Sequence, residues 1–246
     1  MRTYLLNIGN TRAAITAGMV EPGAALPEIR YLPTGEVLSG WRPRGSWRAV
    51  VSCVVPTLRE ALSRRWGARV HFVGPDDFPN LDLRAYEVSR LGADRLCNLA
   101  ALAALLPGRA AVAVDCGTAL NTVALDAHGR FRGGVILPGR ETALKALAAN
   151  AAQLPEFAVT APHEFNPLSC GPESGIRNGV DIGILGAIET ILRATRRQPG
   201  FTRCRIWFTG GDAPFFVKYL PPNLRAELAP IPLTLYGIHL AAATLR

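Results

Sequence analysis

The pattern of apolar and polar positions predicts three strands that each end at a small polar cluster with glycine. The runs cover residues 4–11, 111–119 and 205–212. β-Branched and aromatic residues that lead into Gly, Asn and Asp are typical of strands ending in tight turns. After the first two turns the apolar pattern resumes at once, over 12–16 and 120–125, which predicts strand–turn–strand units.

The two strand–turn–strand units indicate a duplicated architecture. Asn7-x-Gly9 and Asp115-x-Gly117 recur at about half the chain length. We therefore expect an α/β fold of two domains, 1–108 and 109–246, in which each domain offers a glycine turn to a shared nucleotide cleft. The boundary is placed at Pro107–Arg109, where Pro107-Gly108 ends an apolar run.

Three other stretches have helical spacing of their apolar residues. Helices are predicted over 91–106, 141–152 and 182–193, because apolar residues recur there every three or four positions. Two stretches rich in proline and glycine, 21–45 and 161–175, are predicted to be loops.

Composition narrows the class of protein. The chain has 246 residues, of which 49% are hydrophobic and 19% charged, as in a soluble globular protein with a substantial core. No apolar run approaches the roughly 18–20 residues that span a bilayer, and the polar start is unlike a signal peptide. Five scattered cysteines without a CxxC pair argue against a disulfide framework or a zinc site. We expect a cytoplasmic protein with reduced thiols that does not bind membranes.

The net charge is +8, and arginine supplies almost all of the positive charge. Only Lys145 and Lys218 are lysines, which leaves 25 of the 27 basic residues as arginine. The arginines are spread along the chain without aromatic interleaving, so nucleic acid is not an expected partner. Neither lysine follows a glycine-rich loop, which excludes a P-loop, and the motifs of protein kinases and of dinucleotide-binding Rossmann folds are absent.

The glycine turns are suited to an anionic ligand. A glycine lets backbone N–H groups face an anion without a Cβ in the way, and neighbouring hydroxyl, amide and guanidinium groups add donors. Asp115 is acidic, so in a site that binds an anionic ligand it would need a cation between its carboxylate and the ligand. Asp94 follows Gly92 at a predicted helix start, near the positive end of the helix dipole. Taken singly, each turn fits an ordinary strand end, and Asp94 fits an ordinary first-turn aspartate.

The ordered set of motifs resembles the type III pantothenate kinases of the sugar kinase–Hsp70–actin superfamily. The family pattern is DxGNT, GxDR, DxGTA, GGxIxPG and TGGDA. The chain carries NIGNT at 7–11, GADR at 92–95, DCGTA at 115–119, GGVILPG at 133–139 and TGGDA at 209–213. The match covers nearly the whole chain in the same order.

The resemblance implies two duplicated actin-like (ribonuclease H-like) α/β domains, usually in a homodimer. It implies ATP-dependent phosphorylation of pantothenate, the first step of coenzyme A biosynthesis, with Mg²⁺ and a monovalent cation (K⁺ or NH₄⁺). Carried over by position, Asp94 is the general base and Asp115 the monovalent-cation ligand. The positions that correspond to substrate-binding residues of the family are Tyr86, Gly92, Ala93, Arg95 and Pro172. The positions that correspond to ATP-binding residues are Asn7, Ile8, Gly9, Asn10, Thr11, Arg12, Thr118, Gly210 and Gly211.

Four positions depart from the family pattern. Asn7 replaces the first aspartate, Asn121 lies in a run that is hydroxyl-rich in the family, the stretch around Tyr86 lacks a proline, and Pro172 replaces a threonine that contacts substrate. One interpretation is a working but divergent kinase. The alternative is an impaired or substrate-altered member that acts as a nucleotide-binding or regulatory protein, like a transcriptional accessory factor. A third is an actin-like fold with an unrelated function.

Overall fold

The first half of the chain forms a five-stranded sheet around a buried parallel pair. In this computed structural model, residues 1–18, 20, 22–23, 25, 27–84, 87–151, 157–159 and 165–245 are described. The sheet order is β3-β2-β1-β4-β5, with β1 parallel to β4 and antiparallel to β2. The strands are β1 (Arg2–Ile8), β2 (Arg12–Ala17), β3 (Ile29–Pro33), β4 (Trp47–Cys53) and β5 (Val70–Phe72).

A second five-stranded sheet repeats this topology. Its order is β10-β9-β6-β7-β8, with β6 parallel to β9 and β9 parallel to β10. Each sheet is therefore built from a tight hairpin, a third strand antiparallel to the hairpin's second strand, and two strands that continue the sheet on the other side. The strands are β6 (Ala111–Cys116), β7 (Ala119–Leu125), β8 (Ile136–Pro138), β9 (Arg205–Thr209) and β10 (Ala226–Leu228). The predicted duplicated α/β architecture is confirmed.

Seven helices connect or cover these strands within the described residues. They are α1 (Val37–Gly40), α2 (Pro56–Trp66), α3 (Ala93–Leu105), α4 (Arg140–Asn150), α5 (Pro172–Arg196), α6 (Ala213–Tyr219) and α7 (Leu233–Thr244). The helices predicted over 91–106 and 141–152 agree with α3 and α4 to within two residues at each end. None of the helices in the described residues is both long enough and apolar enough to cross a membrane.

Two sequence predictions about loops were wrong. The stretch 21–45 contains β3 and α1, and α5 begins at Pro172, ten residues before the predicted start. β3 was missed because only one of its five residues is buried, which leaves a short edge strand without an apolar pattern. Pro172 was taken as a loop signal, but it occupies the first turn of α5, where the missing N–H has no helical acceptor to lose.

Contacts within the chain define two compact units. The first contains residues 1–109, 123–133 and 229–246, and the second contains 110–122 and 134–228. The chain leaves the first unit next to the boundary placed at Pro107–Arg109, and it returns twice. The last helix, α7, therefore packs in the first unit against α3, β1 and β4.

The contact between α3 and α7 brings two helix backbones unusually close. A Cβ atom on Gly237 would collide with the carbonyl oxygen of Cys97. Beside this contact the buried Thr234 hydroxyl donates a hydrogen bond to the side-chain oxygen of Asn98, at 2.9 Å. On the next turn of α7, His239 Nδ1 accepts the Val20 backbone N–H at 3.1 Å. These contacts fix α3, whose first turn carries Asp94.

We predict that Gly237→Ala destabilises the protein, because the new methyl group must push α3 and α7 apart. Overpacking of this kind costs about 1–3 kcal/mol of unfolding free energy, which chemical denaturation measures. Gly183→Ala is the matched control, since Gly183 lies within α5 with open space around it. That change should leave stability equal or raise it by up to about 1 kcal/mol. Equal stabilities for the two variants would contradict the close contact.

Candidate active site

The first glycine turn joins β1 to β2 and is anchored from behind. The Gly9 N–H donates to the Arg12 carbonyl at 3.1 Å, which closes the turn and leaves Asn10, Thr11 and Arg12 exposed. The buried Thr34 forms two hydrogen bonds to carbonyl oxygens of the turn. Its hydroxyl donates to the Gly9 carbonyl at 2.7 Å, and its backbone N–H donates to the Thr11 carbonyl at 3.0 Å. Sequence reasoning missed Thr34, which lies in a stretch taken to be a loop.

Two side chains border this turn. Asn7 is half-buried near the end of β1, paired with Ala14 of β2 and Ser52 of β4. The Arg12 guanidinium lies over the Tyr31 ring of β3, 4.5 Å from its centroid. The stacking holds an exposed cation at the turn, where an anionic ligand could meet it.

Asp94 lies in the first turn of α3, as predicted. Its Oδ1 accepts the Arg95 N–H at 2.8 Å. Burial raises the pKa of the Asp94 carboxyl, while that hydrogen bond and the Arg95 charge lower it by a smaller amount. A Cβ on Gly92, the residue before the helix, would lie 2.6 Å from Asp94 Oδ1. Glycine at position 92 therefore leaves the space that the carboxylate occupies.

Three of the other four predicted substrate residues lie in the part of the chain that the structure describes. Arg95 is 5% exposed, and its guanidinium lies 5.9 Å from the centroid of the buried Phe131 ring. Ala93 is half-buried at the start of α3. Tyr86 falls outside the described residues. Pro172 is exposed at the start of α5, and its role in substrate binding stays a prediction.

The second glycine turn joins β6 to β7, and the GGVILPG segment closes against it. Gly117 and Thr118 are exposed at the turn. The Thr118 carbonyl accepts the Gly139 N–H at 2.9 Å and the Thr142 hydroxyl at 2.6 Å. A Cβ on Gly139 would collide with the carbonyl oxygens of Gly117 and Thr118. The family glycine at position 139 thus permits direct backbone contact between the start of α4 and the turn.

The third glycine turn, after β9, contacts the end of β6. Gly210 has a φ of 93°, and its Cβ would lie 2.5 Å from the Cys116 carbonyl oxygen. That carbonyl accepts the Asp212 N–H at 3.2 Å. Burial raises the pKa of the Cys116 thiol, and the charges of Asp115 and Asp212 raise it further. Both carboxylates therefore lie near Cys116, at the carboxyl ends of the parallel strands β6 and β9.

Sequence reasoning also missed Arg140, the first residue of α4. Its buried guanidinium donates to both oxygens of Asp181 on α5, at 2.7 and 2.9 Å. It also lies 3.5 Å from Asp212 Oδ1 and 4.0 Å from the Phe215 ring centroid. Two signals were available: Arg140 directly follows GGVILPG, and Asp212 belongs to TGGDA.

A metal centre made from protein side chains alone is absent from the part of the chain that the structure describes. No group of three or more His, Cys, Asp or Glu side chains there could hold a metal ion.

Comparison with known proteins decides the family. A family model described as type III pantothenate kinase matches residues 5–194. The chain belongs to the type III pantothenate kinase family. A relative of that name from Parafrankia sp. is 32% identical over 201 residues, which cover 80% of this chain and 77% of the relative. Another from Chlorobium luteolum is 35% identical over 201 residues, covering 77% and 74%.

Solved structures support the fold. A Baf family protein from Campylobacter jejuni, described as a transcriptional activator, has a TM-score of 0.66 at 20% identity and covers 98% of each chain. The activator of 2-hydroxyisocaproyl-CoA dehydratase from Clostridium difficile, with bound ADPNP, has a TM-score of 0.55 at 12% identity and covers 100% and 97%. At these identities the likeness establishes the duplicated actin-like fold, and functional roles of single residues stay predictions.

The raised pKa of Asp94 predicts a stability change in Asp94→Asn. A carboxyl that binds its proton more tightly in the folded state than in the unfolded state costs stability once it is ionised. That cost appears as the pH rises through the ordinary aspartate range and persists above the raised pKa. Asparagine does not ionise, so Asp94→Asn should melt at a higher temperature than wild type at pH 7.

The advantage of Asp94→Asn should vanish at a pH below the ordinary aspartate range. Asp76→Asn, which makes the same change at an exposed side chain, should leave stability nearly unchanged. Thermal melts at several pH values measure both variants. A lower melting temperature for Asp94→Asn at neutral pH would contradict the direction of the shift.

Proposed function

We propose that the protein transfers the γ-phosphate of ATP to the hydroxyl of pantothenate and so forms 4′-phosphopantothenate, the first step of coenzyme A biosynthesis. Family membership supports the reaction class. The observation that carries the proposal is Asp94, a carboxylate with a raised pKa held by its neighbour's backbone N–H at the start of α3. A base whose pKa is raised towards the working pH is suited to proton transfer.

Asp94 acts as the general base on the acceptor hydroxyl. It takes the hydroxyl proton as the oxygen bonds to the γ-phosphorus and as the bond from the β–γ bridging oxygen to that phosphorus breaks, which releases ADP. Gly92, Ala93 and Arg95 hold the substrate, and the Arg95 guanidinium supplies a cation for the substrate's own carboxylate. Tyr86 and Pro172 are assigned to the substrate on family position alone.

ATP is bound by backbone groups and arginine instead of lysine. The first turn contributes its exposed residues Asn10, Thr11 and Arg12 to ATP binding. The second turn contributes Thr118, and the third contributes Gly210 and Gly211. Asn7, Ile8 and Gly9 shape the first turn. Lys145 pairs with Glu141 on the surface of α4, and Lys218 lies over Tyr219 on α6. Alignment and charge neutralisation account for most of the catalysis in phosphoryl transfer.

Two cations fit this arrangement. Mg²⁺ would be held mainly by the phosphates of ATP, with one or two protein oxygens besides. The neutral Asn7 side chain, which has a carbonyl oxygen, is compatible with such a role. Asp115, half-buried at the end of β6, would hold the monovalent cation, K⁺ or NH₄⁺. When bound, the cations neutralise phosphate charge. The departure at Asn7 weakens the attraction for Mg²⁺ without removing an oxygen ligand.

We also propose that the protein is a cytoplasmic homodimer. Six large apolar side chains of the second unit are exposed among the described residues, which is consistent with a covered surface. Three of them are Ile136 of β8 at 62%, Leu147 of α4 at 39% and Ile182 of α5 at 38%.

Asp94→Asn is predicted to abolish product formation while nucleotide binding persists. Loss of a general base costs roughly 100- to 10,000-fold in rate. Mass spectrometry of phosphopantothenate after incubation with ATP, Mg²⁺ and K⁺ measures turnover, and calorimetry with ADP measures binding. Asp76→Asn is the control for turnover. Wild-type protein that binds ADP without forming product would favour the regulatory alternative. Turnover by Asp94→Asn at more than about a tenth of the wild-type rate would reject Asp94 as base.

Asn7→Asp is predicted to lower the Mg²⁺ concentration needed for half-maximal turnover, because it restores a negative charge beside the first turn. Asn150→Asp adds the same charge at the exposed end of α4 and should leave the Mg²⁺ dependence unchanged. Identical Mg²⁺ titrations for wild type and Asn7→Asp would show that the charge at position 7 has no part in metal use.

A further inference from the structure

One buried guanidinium connects three helices of the second unit. Arg140 begins α4, contacts Asp181 in the middle of α5 and contacts Asp212 at the start of α6. Its face lies against Phe215 of α6. The side chain is only 6% exposed, while those of Asp181 and Asp212 are 13% and 31% exposed.

Burying charged groups in this way often contributes less stability than packing apolar side chains in the same place would. Removing a guanidinium and a carboxylate from water costs several kcal/mol per ion, and a well-packed apolar pair of similar volume often stabilises a protein as well or better. A buried pair of this kind is therefore weak evidence of a purely structural role. Only the planar fork of arginine can satisfy one carboxylate with two parallel hydrogen bonds and still reach a second acidic group.

Both segments that Arg140 connects are attached to glycine turns. On one side, Gly139 and Thr142 flank Arg140 and bind the Thr118 carbonyl of the second turn. On the other side, Asp212 follows the Gly210–Gly211 turn and binds the Cys116 carbonyl through its backbone N–H. The side-chain contact between Arg140 and Asp212 therefore connects the segment that holds the second turn to the segment that forms the third.

We propose that Arg140 is a positioning residue for the nucleotide. By holding Asp181 with two hydrogen bonds and Asp212 with a third contact, it fixes the spacing between the 117–118 turn and the 210–211 turn. This inference rests on the proposed function, because it requires that these turns bind ATP. Without the guanidinium the backbone bonds to Cys116 and Thr118 remain, but the side-chain contact that joins the starts of α4 and α6 is lost. The spacing between the two turns then varies over a wider range, and nucleotide binding weakens.

The double variant Arg140→Met/Asp181→Leu tests this role separately from stability. It replaces the ion pair with apolar side chains, so neither member of that pair is left as an uncompensated buried charge. Asp212 loses its contact with Arg140, but its side chain is 31% exposed and therefore remains in contact with water. We expect a melting temperature close to that of wild type, together with an ADP affinity at least tenfold weaker by calorimetry in Mg²⁺ buffer. In turnover assays KM for ATP should rise, while KM for pantothenate stays unchanged.

The matched control is Arg193→Met/Glu189→Leu, which removes a more exposed ion pair of α5. It should bind ADP like wild type. If Arg140→Met/Asp181→Leu fails to fold, Arg140→Lys serves in its place, since it keeps the charge but cannot form the two-hydrogen-bond fork. We expect Arg140→Lys to weaken ADP binding to an intermediate degree, while Arg193→Lys leaves it unchanged.

ADP binding is measured without pantothenate, so its outcome is separate from that of the proposed reaction. Wild type that binds ADP but forms no phosphopantothenate would reject the proposed reaction and leave the Arg140 comparison decisive. A folded Arg140→Met/Asp181→Leu variant, or an Arg140→Lys variant, that binds ADP within twofold of wild type would overturn the inference. So would equal rises in KM for both substrates, or wild type that does not bind ADP.

Discussion

The candidate site depends on one constraint, the direct contact of backbone with backbone where no side chain fits. Gly139 and Gly210 approach the carbonyl oxygens of residues 116–118 so closely that a Cβ atom at either position would collide. Hydrogen bonds from the N–H groups of Gly139 and Asp212 then tie both approaching segments to the same hairpin. The backbone groups of these turns are the groups that we assign to the phosphates. Their placement is set first by these backbone contacts, and the proposed role of Arg140 is to hold the two segments at a fixed spacing.

The same constraint explains how phosphoryl transfer can proceed in a chain with two lysines. A P-loop places a lysine beside the phosphates. The turns of this chain instead offer backbone groups, together with Arg12 at the first turn and Arg140 next to the segments that hold the second and third turns. Arginine keeps its charge when buried and makes directed, paired hydrogen bonds. An abundance of arginine can indicate a nucleic-acid partner. In this chain, Arg12 and Arg140 have fixed positions at or near the turns, and these positions explain part of the arginine content.

Part of the fold was predictable because three strands end at glycine turns and the pattern recurs at half the chain length. The short edge strands β3, β8 and β10 and the early start of α5 at Pro172 were not predicted. The longer β4, α2 and α7 were also not predicted, because the glycine turns did not single them out. At the site, the motifs located Asp94 and the turns. Thr34, Asp181 and Arg140 could not be assigned, because their roles come from contacts between residues distant in sequence. The return of α7 to the first unit likewise depends on its contact with α3 through Gly237.

If the phosphoryl-transfer site uses no lysine, the chain should phosphorylate pantothenate after both of its lysines are replaced. The most direct measurement is phosphopantothenate formation from ATP by the lysine-free variant Lys145→Gln/Lys218→Gln, followed by mass spectrometry beside wild type. We expect turnover within about threefold of wild type, since surface substitutions of this kind have small effects. Loss of product in the lysine-free variant, or its absence in wild type, would contradict this expectation.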